Sequence, residues 1–374
     1  MMKKICILFV SVLALISCQN KKEIKIDQKN SLAYAKGFTI INYDTYKKVI
    51  IHNPYKNADR KYEYLLVPKE NKIPKHKDAV QIIRTPVKKI VVTSSSHIPL
   101  LELLEEEQSL VGFPNTDFIS STKTRKLVET GDVRELGKAE YLNTEVLLDV
   151  NPEIVMSFAV DKPNKSFQMI QKLGVPVLLN GDWLEETPLG RAEWIRLFGA
   201  LYQKEKEADS IFNHIKKEYN AAKELAIRAK NKPTVLSGSI FQDVWYLPAG
   251  ESFIAKYFED AQTNYLWKDS KGTGSLSLNF ENVFEKGQKA NYWIGCSLTT
   301  SKEELVNANA HYQKFDPFIN DQIYTFGKLK GAKGGLFYFE LGPIQPHIIL
   351  KDIIKIAHPE LLPNYKPYFF SKLE

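Results

Sequence analysis

The chain has 374 residues, of which 44% are hydrophobic, 25% charged and 11% aromatic. This length and composition predict two globular domains, each with an apolar core. The formal charge of +7 comes from 51 basic and 44 acidic residues without a long basic run, which argues against nucleic-acid binding. A mildly positive surface fits anionic ligands or a membrane face.

The first residues have the pattern of an export signal. A charged start precedes an apolar run over residues 5–16, which is too short for a lasting transmembrane helix. The following Leu-Ile-Ser-Cys, which ends at Cys18, resembles the lipobox of bacterial lipoproteins, in which acyl chains such as palmitate are attached to the cysteine. We expect a signal peptide over residues 1–17, lipidation at Cys18 and a lipid-anchored tether over residues 18–31. An ordinary signal peptide with a chance cysteine is the alternative.

The cysteines exclude an intrachain disulfide in the mature protein. Cys6 would leave with the signal peptide and Cys18 would be acylated, so that Cys296 alone remains. Cys296 lies in an apolar strand, and we expect it to be a small buried residue.

The segment after the tether is predicted to be rich in strands. Tyr, Thr, Val and Ile are frequent, and strands are predicted over residues 38–41, 48–51 and 62–67, with turn signals between them. We interpret residues 32–80 as a small β extension that packs on the first lobe.

Strands and helices alternate from Val87 onward. Strands separated by helices imply a mainly parallel sheet with both faces covered. We assign residues 81–186 to an N-terminal α/β lobe. Its predicted strands lie over residues 89–93, 110–113, 154–158 and 175–179, and its predicted helices over residues 99–105, 146–150 and 167–173.

Residues 187–230 have the strongest helical pattern in the chain. Thr187 can cap a helix, Pro188 suits its first position, and apolar residues follow at helical spacing until Pro233. A helix of this length would extend for roughly 60 Å. We expect it to join two lobes as their backbone.

The alternation resumes after Pro233, and we assign residues 231–374 to a C-terminal α/β lobe. The predicted fold class is therefore α/β, with two lobes of mainly parallel sheets joined by one long backbone helix, plus a small N-terminal β extension. The predicted strands of this lobe lie over residues 234–237, 245–248, 292–295 and 324–326, and its helices over residues 252–257, 281–285 and 346–358.

One short pattern occurs once in each lobe. Residues 142–148 and 278–284 both read Leu-Asn-x-Glu-x-apolar-apolar and precede a strand. The Asn can cap a helix, and Glu145 or Glu281 then lies in its first turn, near the positive end of the helix dipole. We interpret the pattern as the same supersecondary unit in both lobes.

Several segments together resemble one protein family. They are the lipobox, the Thr-Ser-Ser-Ser-His of residues 93–97, and residues 142–155, 174–177, 188–194 and 358–363. In this order they are similar to the helical-backbone (class III) periplasmic binding proteins, which are capture components of ABC importers for iron-siderophores, haem and cobalamin. The resemblance covers most of the chain from Val87 onward, whereas residues 32–74 lie outside the common core.

The resemblance implies a binding protein rather than an enzyme. It would be a monomer that captures an iron complex of the siderophore type in a cleft between the lobes and delivers it to an ABC transporter permease dimer with its ATPase. The protein would have no cofactor of its own, since the Fe(III) chelate is the ligand; cobalamin, another corrinoid or haem is the alternative. The lipid would anchor it at the periplasmic face of the cell envelope.

Ligand contacts are expected beyond the carboxyl ends of the strands, where open α/β sheets bind their ligands. Aromatic side chains offer stacking area there, and hydroxyls offer polar contacts. Some of these residues have alternative roles: Ser95 and Ser96 can cap a helix, and the tryptophans can pack within a lobe. Arg191 can pair with Glu185 or Glu186 instead. The candidate ligand-binding residues are Ser95, Ser96, His97, Tyr141, Phe158, Trp183, Arg191, Phe241, Trp245 and Ser275.

The two glutamates of the repeated pattern are candidates for docking. In the family that the sequence resembles, one acidic residue at the tip of each lobe pairs with arginines of the permease. Glu145 and Glu281 occupy the matching positions, so the resemblance implies permease docking. Stabilisation of the helix dipole alone is the alternative.

Other kinds of site fit the sequence less well. A bare metal-ion site needs several converging ligands, but of the seven histidines only His97 falls at a predicted cleft position. At this position His97 could instead be an axial ligand to the metal of a haem or corrinoid. An enzyme is disfavoured because the sequence has no Gly-x-Ser-x-Gly elbow. The glycine-rich residues 331–335 lack the spacing of a phosphate-binding loop and indicate a loop or a close backbone approach. A surface adhesion or scaffold lipoprotein is a further alternative.

Overall fold

The computed structural model describes residues 32–52, 54–56, 58, 60–76, 80–139, 141–159 and 165–374. The predicted signal peptide, the tether and the lipidation site Cys18 lie outside these residues. No helix among the described residues combines the length and the apolar character that crossing a membrane requires.

Strands and helices alternate through most of the described chain. The strands are β1 (Phe38–Asn42), β2 (Lys47–Ile51), β3 (Tyr62–Pro68), β4 (Gln81–Thr85), β5 (Ile90–Val92), β6 (Leu110–Phe113), β7 (Arg134–Glu135), β8 (Gly137–Lys138), β9 (Tyr141–Leu142), β10 (Ile154–Ser157), β11 (Val177–Leu179), β12 (Thr234–Leu236), β13 (Ser239–Phe241), β14 (Val244–Pro248), β15 (Asn264–Tyr265), β16 (Ser275–Leu278), β17 (Tyr292–Ile294), β18 (Ile323–Thr325) and β19 (Ser371–Lys372). The helices are α1 (Ile98–Leu103), α2 (Thr122–Thr130), α3 (Thr144–Val150), α4 (Lys165–Lys172), α5 (Pro188–Ala192), α6 (Ile195–Tyr202), α7 (Glu205–Ala226), α8 (Phe253–Asp260), α9 (Phe280–Gly287), α10 (Lys302–Ala308), α11 (Asp316–Ile319), α12 (Phe337–Leu341) and α13 (Pro346–Ala357).

The N-terminal extension is a four-stranded sheet in the order β1-β2-β3-β4. The first three strands are antiparallel neighbours, and β4 runs parallel to β3, so that the sheet continues beyond the predicted boundary at residue 80. The Tyr64 hydroxyl donates to the carbonyl of Val177 at 3.1 Å, and the Gln81 side chain exchanges two hydrogen bonds with the same residue. The extension therefore covers β11, which would otherwise be an open sheet edge.

The sheet of the N-terminal lobe has the order β11-β10-β5-β6-β7, and all its strands are parallel. Every residue of β5 and β10 is buried, as expected for a parallel sheet with both faces covered. The carboxyl ends of the strands meet at one edge, so the residues that follow them, such as Thr93 and Phe158, lie close together.

The C-terminal lobe contains two sheets. The larger has the order β15-β12-β17-β18-β19 and is parallel except for the final strand. The smaller is the antiparallel sheet β13-β14-β16, one face of which packs on the core through Trp245 and Leu247. Cys296, which follows β17, is buried as predicted.

The connection between the lobes differs from the single helix predicted over residues 187–230. Three helices, α5, α6 and α7, occupy this segment. Gln203 adopts the left-handed conformation with φ of 58°, and the Lys204 N–H bonds back to the carbonyl of Gly199 at 2.8 Å. A Cβ on Gly199 would lie 2.6 Å from that of Ala208, so glycine lets α6 and α7 pack closely. Among the described residues the longest helix is thus α7, with 22 residues.

Two buried glutamates of the connection hold the start of the described chain. Glu193, which is fully buried, accepts hydrogen bonds from the backbone N–H groups of Ala33, Tyr34 and Ala35. Glu185 accepts from the backbone N–H groups at residues 36 and 37 and from Trp194 Nε1, all at 2.8–2.9 Å. These buried charge-assisted bonds fix residues 33–37 against the junction of the lobes.

Candidate functional site

A cavity of about 530 Å³ lies between the two lobes. The N-terminal lobe lines it with residues that follow β5, β6 and β10, and the C-terminal lobe lines it with the loops after β17 and β18 and with α12. We call it the apolar cavity, because most of its side chains are apolar. They are Phe113, Pro114, Phe118, Phe158, Ala139, Leu298, Leu336 and Phe339.

A second cavity, of about 720 Å³, opens beside the first. The N-terminal lobe contributes residues 181 and 183–186, the C-terminal lobe Tyr246 and residues 271–277, and the β extension Lys36 and Lys56 among others. We call it the lysine-rimmed cavity. Trp183 lines it and donates from Nε1 to the carbonyl of Ala159 at 3.2 Å, next to Phe158 of the apolar cavity. Both cavities thus lie between the lobes, in the interlobe cleft, and the hydrogen bond between Trp183 and Ala159 connects their walls.

Four of the ten candidate ligand-binding residues line this cleft. Ser95 and Phe158 face the apolar cavity, and Trp183 and Ser275 face the lysine-rimmed cavity. The rule that ligands bind beyond the carboxyl ends of strands selected the first three of them.

The family can be assigned on this fold. A family described as periplasmic binding protein matches residues 90–328, which is more than half of the chain. The chain belongs to the periplasmic binding protein family. This confirms the resemblance seen in the sequence and the predicted two-lobed α/β fold, and it makes the protein a binding protein rather than an enzyme.

One relative and two solved structures are similar to this periplasmic binding protein in length or in fold. An uncharacterized lipoprotein of Methanocaldococcus jannaschii is 27% identical over 98% of this chain and 94% of its own length. The periplasmic heme-binding protein from Roseiflexus sp. RS-1 matches with a TM-score of 0.57 at 15% identity, over 73% of this chain and 100% of its own. A possible iron-binding solute-binding protein from Staphylococcus epidermidis matches with a TM-score of 0.55 at 17% identity, over 73% of this chain and 100% of its own. At these identities the two structures show a shared fold.

Trp245 does not reach the cleft of the binding protein. Its ring is fully buried and packs against Trp293 at 5.4 Å and Tyr312 at 5.6 Å between ring centroids, and its Nε1 donates to the carbonyl of Ser237. Expecting Trp245 to contact ligand was therefore wrong. The alternation along β14 turns Trp245 inward and places its neighbour Tyr246 in the lysine-rimmed cavity.

Ser96 and His97 are also buried and line neither cavity. The 3₁₀ turn formed by Ser95–His97 directs the His97 ring inward, to 5.9 Å from Phe198 between ring centroids. Both His97 ring nitrogens lack a hydrogen-bond partner within the described structure, and burial lowers the pKa of His97 to about 4. His97 is thus a neutral residue beneath the cleft, and it does not line the cleft as the sequence predicted.

Arg191 pairs with Asp182 rather than with Glu185 or Glu186. Its Nη2 lies 3.0 Å from Asp182 Oδ2, and its guanidinium lies over the ring of Phe253 at 4.4 Å. Both charged partners are largely buried, so this pair joins the end of the N-terminal lobe to α8. Arg191 therefore organises the junction and lines neither cavity.

Tyr141 and Phe241 are exposed, with 79% and 65% of their surface accessible, and neither lines a cavity. The register of the small sheet places Phe241 on the same face as Tyr246 and Ser277, which do line the lysine-rimmed cavity. Phe241 is thus on the cleft side of its sheet but outside the cavity lining.

Sequence reasoning missed the residues that the C-terminal lobe places in the apolar cavity. Leu298 and Phe339 are about half exposed, at 51% and 50%. The strand β16 was missed too, although Ser275-Leu276-Ser277-Leu278 alternates in the way that indicates a half-buried strand. In the sequence, an apolar residue in the loop after a predicted strand was the signal that could have identified Leu298.

A buried carboxylate joins the lobes next to the apolar cavity. Glu340 of α12 accepts hydrogen bonds from the backbone N–H groups of Ser120 and Ser121 at the start of α2, both at 2.7 Å. We call these two bonds the interlobe latch. The glycines of residues 331–335 allow the approach, since a Cβ on Gly331 would lie 2.5 Å from Ser120 Cα. The close backbone approach predicted for this loop is thereby confirmed.

The interlobe latch predicts a pH dependence. Burial raises the pKa of Glu340 to about 7, so the native state holds a proton that the unfolded chain releases near pH 4.5. This group therefore stabilises the protein fully below about pH 4.5, and its contribution is lost as the pH rises through about 7. We expect the difference in unfolding free energy between the wild type and Glu340→Gln to change by roughly 3 kcal/mol over this range. Urea unfolding at several pH values measures it.

The comparison of the wild type with Glu340→Gln separates the contribution of Glu340 from those of other titrating groups. Burial lowers the pKa of His97 and of His347 to about 4, which makes stability rise with pH between about 4 and 6.5 in both proteins alike. Parallel pH curves for the wild type and the variant would contradict the predicted role of Glu340.

Glu145 and Glu281 occupy equivalent places in the two lobes. Asn143 caps α3 and Asn279 caps α9 through their side-chain oxygens, as predicted, and each glutamate lies in the first turn of its helix. Both glutamates are exposed, and neither forms an ion pair with another described residue. Among the residues that the structure describes, no group of three or more His, Cys, Asp or Glu is arranged to hold a metal ion.

Proposed function

We propose that this chain is the substrate-binding lipoprotein of an ABC importer, which captures an iron complex of the siderophore type in the interlobe cleft and delivers it to the permease. The observation that carries the proposal is the apolar cavity, which both lobes line beyond the carboxyl ends of their parallel strands. Binding sites of open α/β sheets lie in this position. The family assignment agrees with this use of the cleft.

Delivery to a permease is supported by the two exposed glutamates. Glu145 and Glu281 repeat in matching positions, one in each lobe, and have no ion-pair partner among the described residues. A permease made of two similar halves would present one basic site to each glutamate. An ATPase bound to the permease would complete the importer.

The N-terminal sequence supports attachment to a membrane. Cys18 ends a lipobox-like sequence, and the Methanocaldococcus jannaschii relative is named a lipoprotein. We infer that acyl chains on Cys18 hold the protein at the periplasmic face of the cell envelope, where it acts as a monomer.

Haem or a corrinoid is the second candidate ligand, and the lining of the apolar cavity favours it. Four phenylalanines, Phe113, Phe118, Phe158 and Phe339, surround this space, and flat macrocycles gain stacking and apolar contact from such rings. The Roseiflexus protein with the same fold is a heme-binding protein. The Staphylococcus protein with the same fold, which is described as possibly iron-binding, supports the iron-chelate proposal to the same degree.

Thermal-shift measurements on the mature chain without its lipid test the proposal. The ligand panel is a ferric trihydroxamate, a ferric tricatecholate, haemin and cyanocobalamin. A ligand that binds only the native state raises the melting temperature. At a free ligand concentration of 100 times its Kd, it adds about 2.7 kcal/mol to the free energy of unfolding. No shift with any of the four would contradict the proposed function.

Phe339→Ala locates the binding event in the apolar cavity. Because Phe339 is half exposed, we expect a small change in unfolding free energy but roughly tenfold weaker binding of the ligand that the panel identifies. Ile319→Ala is the matched control, since Ile319 is exposed and lines neither cavity. Equal affinities of both variants would place the ligand elsewhere.

A further inference from the structure

The β extension, which lies outside the matched family region, reaches into the ligand cleft. Lys36, Gly37, Tyr55, Lys56 and Ala58 line the lysine-rimmed cavity, opposite residues 271–277 of the C-terminal lobe. The family match begins at residue 90, so these five positions are an addition to the common core.

The extension is held rigidly enough to contribute to a binding site. Glu193 and Glu185 together accept hydrogen bonds from backbone N–H groups throughout residues 33–37. On the far side, Tyr64 and Gln81 bond to the edge strand β11 of the N-terminal lobe. These hydrogen bonds therefore fix Lys36 and Gly37 of the cavity lining and tie the sheet of the extension to the N-terminal lobe.

The rim of this cavity carries three lysines from two different parts of the chain. Lys56 is exposed and forms no ion pair with another described residue. Lys36 pairs with Glu186, and Lys271 pairs with Glu251 at 3.1 Å, but these partners are solvent-exposed and such surface pairs are weak. All three ammonium groups are therefore available to an anion that enters the cleft.

Two carboxylates also line the cavity: Glu185 is held by the backbone N–H groups of residues 36 and 37, and Glu186 is the partner of Lys36. The uncharged side chains of the lining suit a ligand with both flat and oxygen-rich parts. Trp183 and Tyr246 offer aromatic faces, and Thr273, Ser275 and Ser277 offer hydroxyls. Trp183 donates a hydrogen bond to the carbonyl of Ala159, and the preceding residue, Phe158, lines the apolar cavity. A ligand that filled both cavities would place its apolar part among the phenylalanines and its polar part near the lysines.

We propose that the β extension and residues 271–277 together form an anion-binding subsite of the cleft, which takes the carboxylate or phenolate oxygens of an amphipathic ligand. Lys36, Lys56 and Lys271 bind these oxygens. The inference rests on the proposed function, and it assigns to the extension the selection of anionic over neutral ligands.

Two pairs of probes test the subsite by calorimetry. The anionic ferric tricatecholate is compared with the neutral ferric trihydroxamate, and anionic haemin with neutral cyanocobalamin. In whichever pair the wild type binds, we expect the variant Lys36→Gln/Lys56→Gln/Lys271→Gln to bind the anionic probe roughly 10-fold more weakly and the neutral probe within about twofold. Each exposed ion pair is weak, but the loss of three of them together gives a change of this size. Added salt should weaken anionic binding more in the wild type than in the variant.

A charge-matched control separates the subsite from general charge. Lys61→Gln/Lys75→Gln/Lys289→Gln removes the same charge from exposed positions that do not line the cleft, and it should bind like the wild type. Equal weakening by both triple variants, equal weakening for anionic and neutral probes, or unchanged anionic binding would each overturn the subsite while leaving the proposed function intact. A wild type that binds no probe would overturn the proposed function and the subsite with it.

Discussion

Replacing Glu193 by alanine is expected to lower the free energy of unfolding by about 3–5 kcal/mol. The Glu193 carboxylate is fully buried and accepts hydrogen bonds of 2.7–3.1 Å from the backbone of Ala33, Tyr34 and Ala35. It also pairs with Arg196 at 3.0 Å. Alanine would leave these buried donors without their acceptor, and a buried donor that loses its partner costs far more than one that can turn to water.

Urea unfolding of Glu193→Ala and Glu186→Ala measures the difference. Glu186 lies close to Glu193 in the chain, but its ion pair with Lys36 is exposed. We therefore expect Glu186→Ala to lower the free energy of unfolding by about 1 kcal/mol or less. Hydrogen exchange at the amides of residues 33–35 should become faster in Glu193→Ala alone. Similar losses in both variants, or unchanged exchange, would show that the buried carboxylate does not hold the extension in place.

Replacing both Glu145 and Glu281 by alanine is expected to abolish transport and to leave ligand affinity unchanged. Both carboxylates are exposed at the starts of equivalent helices and lie outside the two cavities, so their loss should affect neither folding nor the cleft. Two charge contacts made at once with a permease are lost together, and the loss is therefore larger than for either single variant. Uptake of the ligand by cells that carry the importer is the measurement.

The matched control uses the other ends of the same helices. Asp149→Ala/Glu285→Ala removes two exposed charges from α3 and α9 and should transport like the wild type. Asp149 pairs with exposed Arg134 at 3.1 Å, which is a contact of small expected energy. Weakened ligand binding by the variant that lacks Glu145 and Glu281, or transport at the wild-type rate, would contradict permease docking through these residues.

The local pattern of the sequence predicted most elements of the two lobes. β6 over residues 110–113 has the predicted bounds, and the helix caps at Asn143 and Asn279 form as expected. These features depend on residues close together in the chain, such as an apolar run of the right length or an Asn before an amphipathic segment. The short β4 was missed because it is defined by its neighbour β3 more than by its own composition.

The break between α6 and α7 is a feature of tertiary packing. Apolar residues keep a helical spacing across Gln203, because each helix buries a stripe of its own. The chain turns at Gln203, and the turn brings Gly199 of α6 against Ala208 of α7. Sequence periodicity therefore predicted one continuous helix over residues 187–230, whereas the structure has three.

The sequence by itself determined the family, the two α/β lobes and the edge of the N-terminal sheet at which the cleft lies, because the alternation of strands and helices and the positions of strand ends follow from local patterns. Only the tertiary structure decided which side chains line the cleft. Trp245 and His97 were equally plausible ligand contacts until the alternation of β14 and the 3₁₀ turn directed them inward. The place of Lys36 in the lining of the cleft could not be read from the sequence either, since it depends on hydrogen bonds between residues about 150 positions apart in the chain.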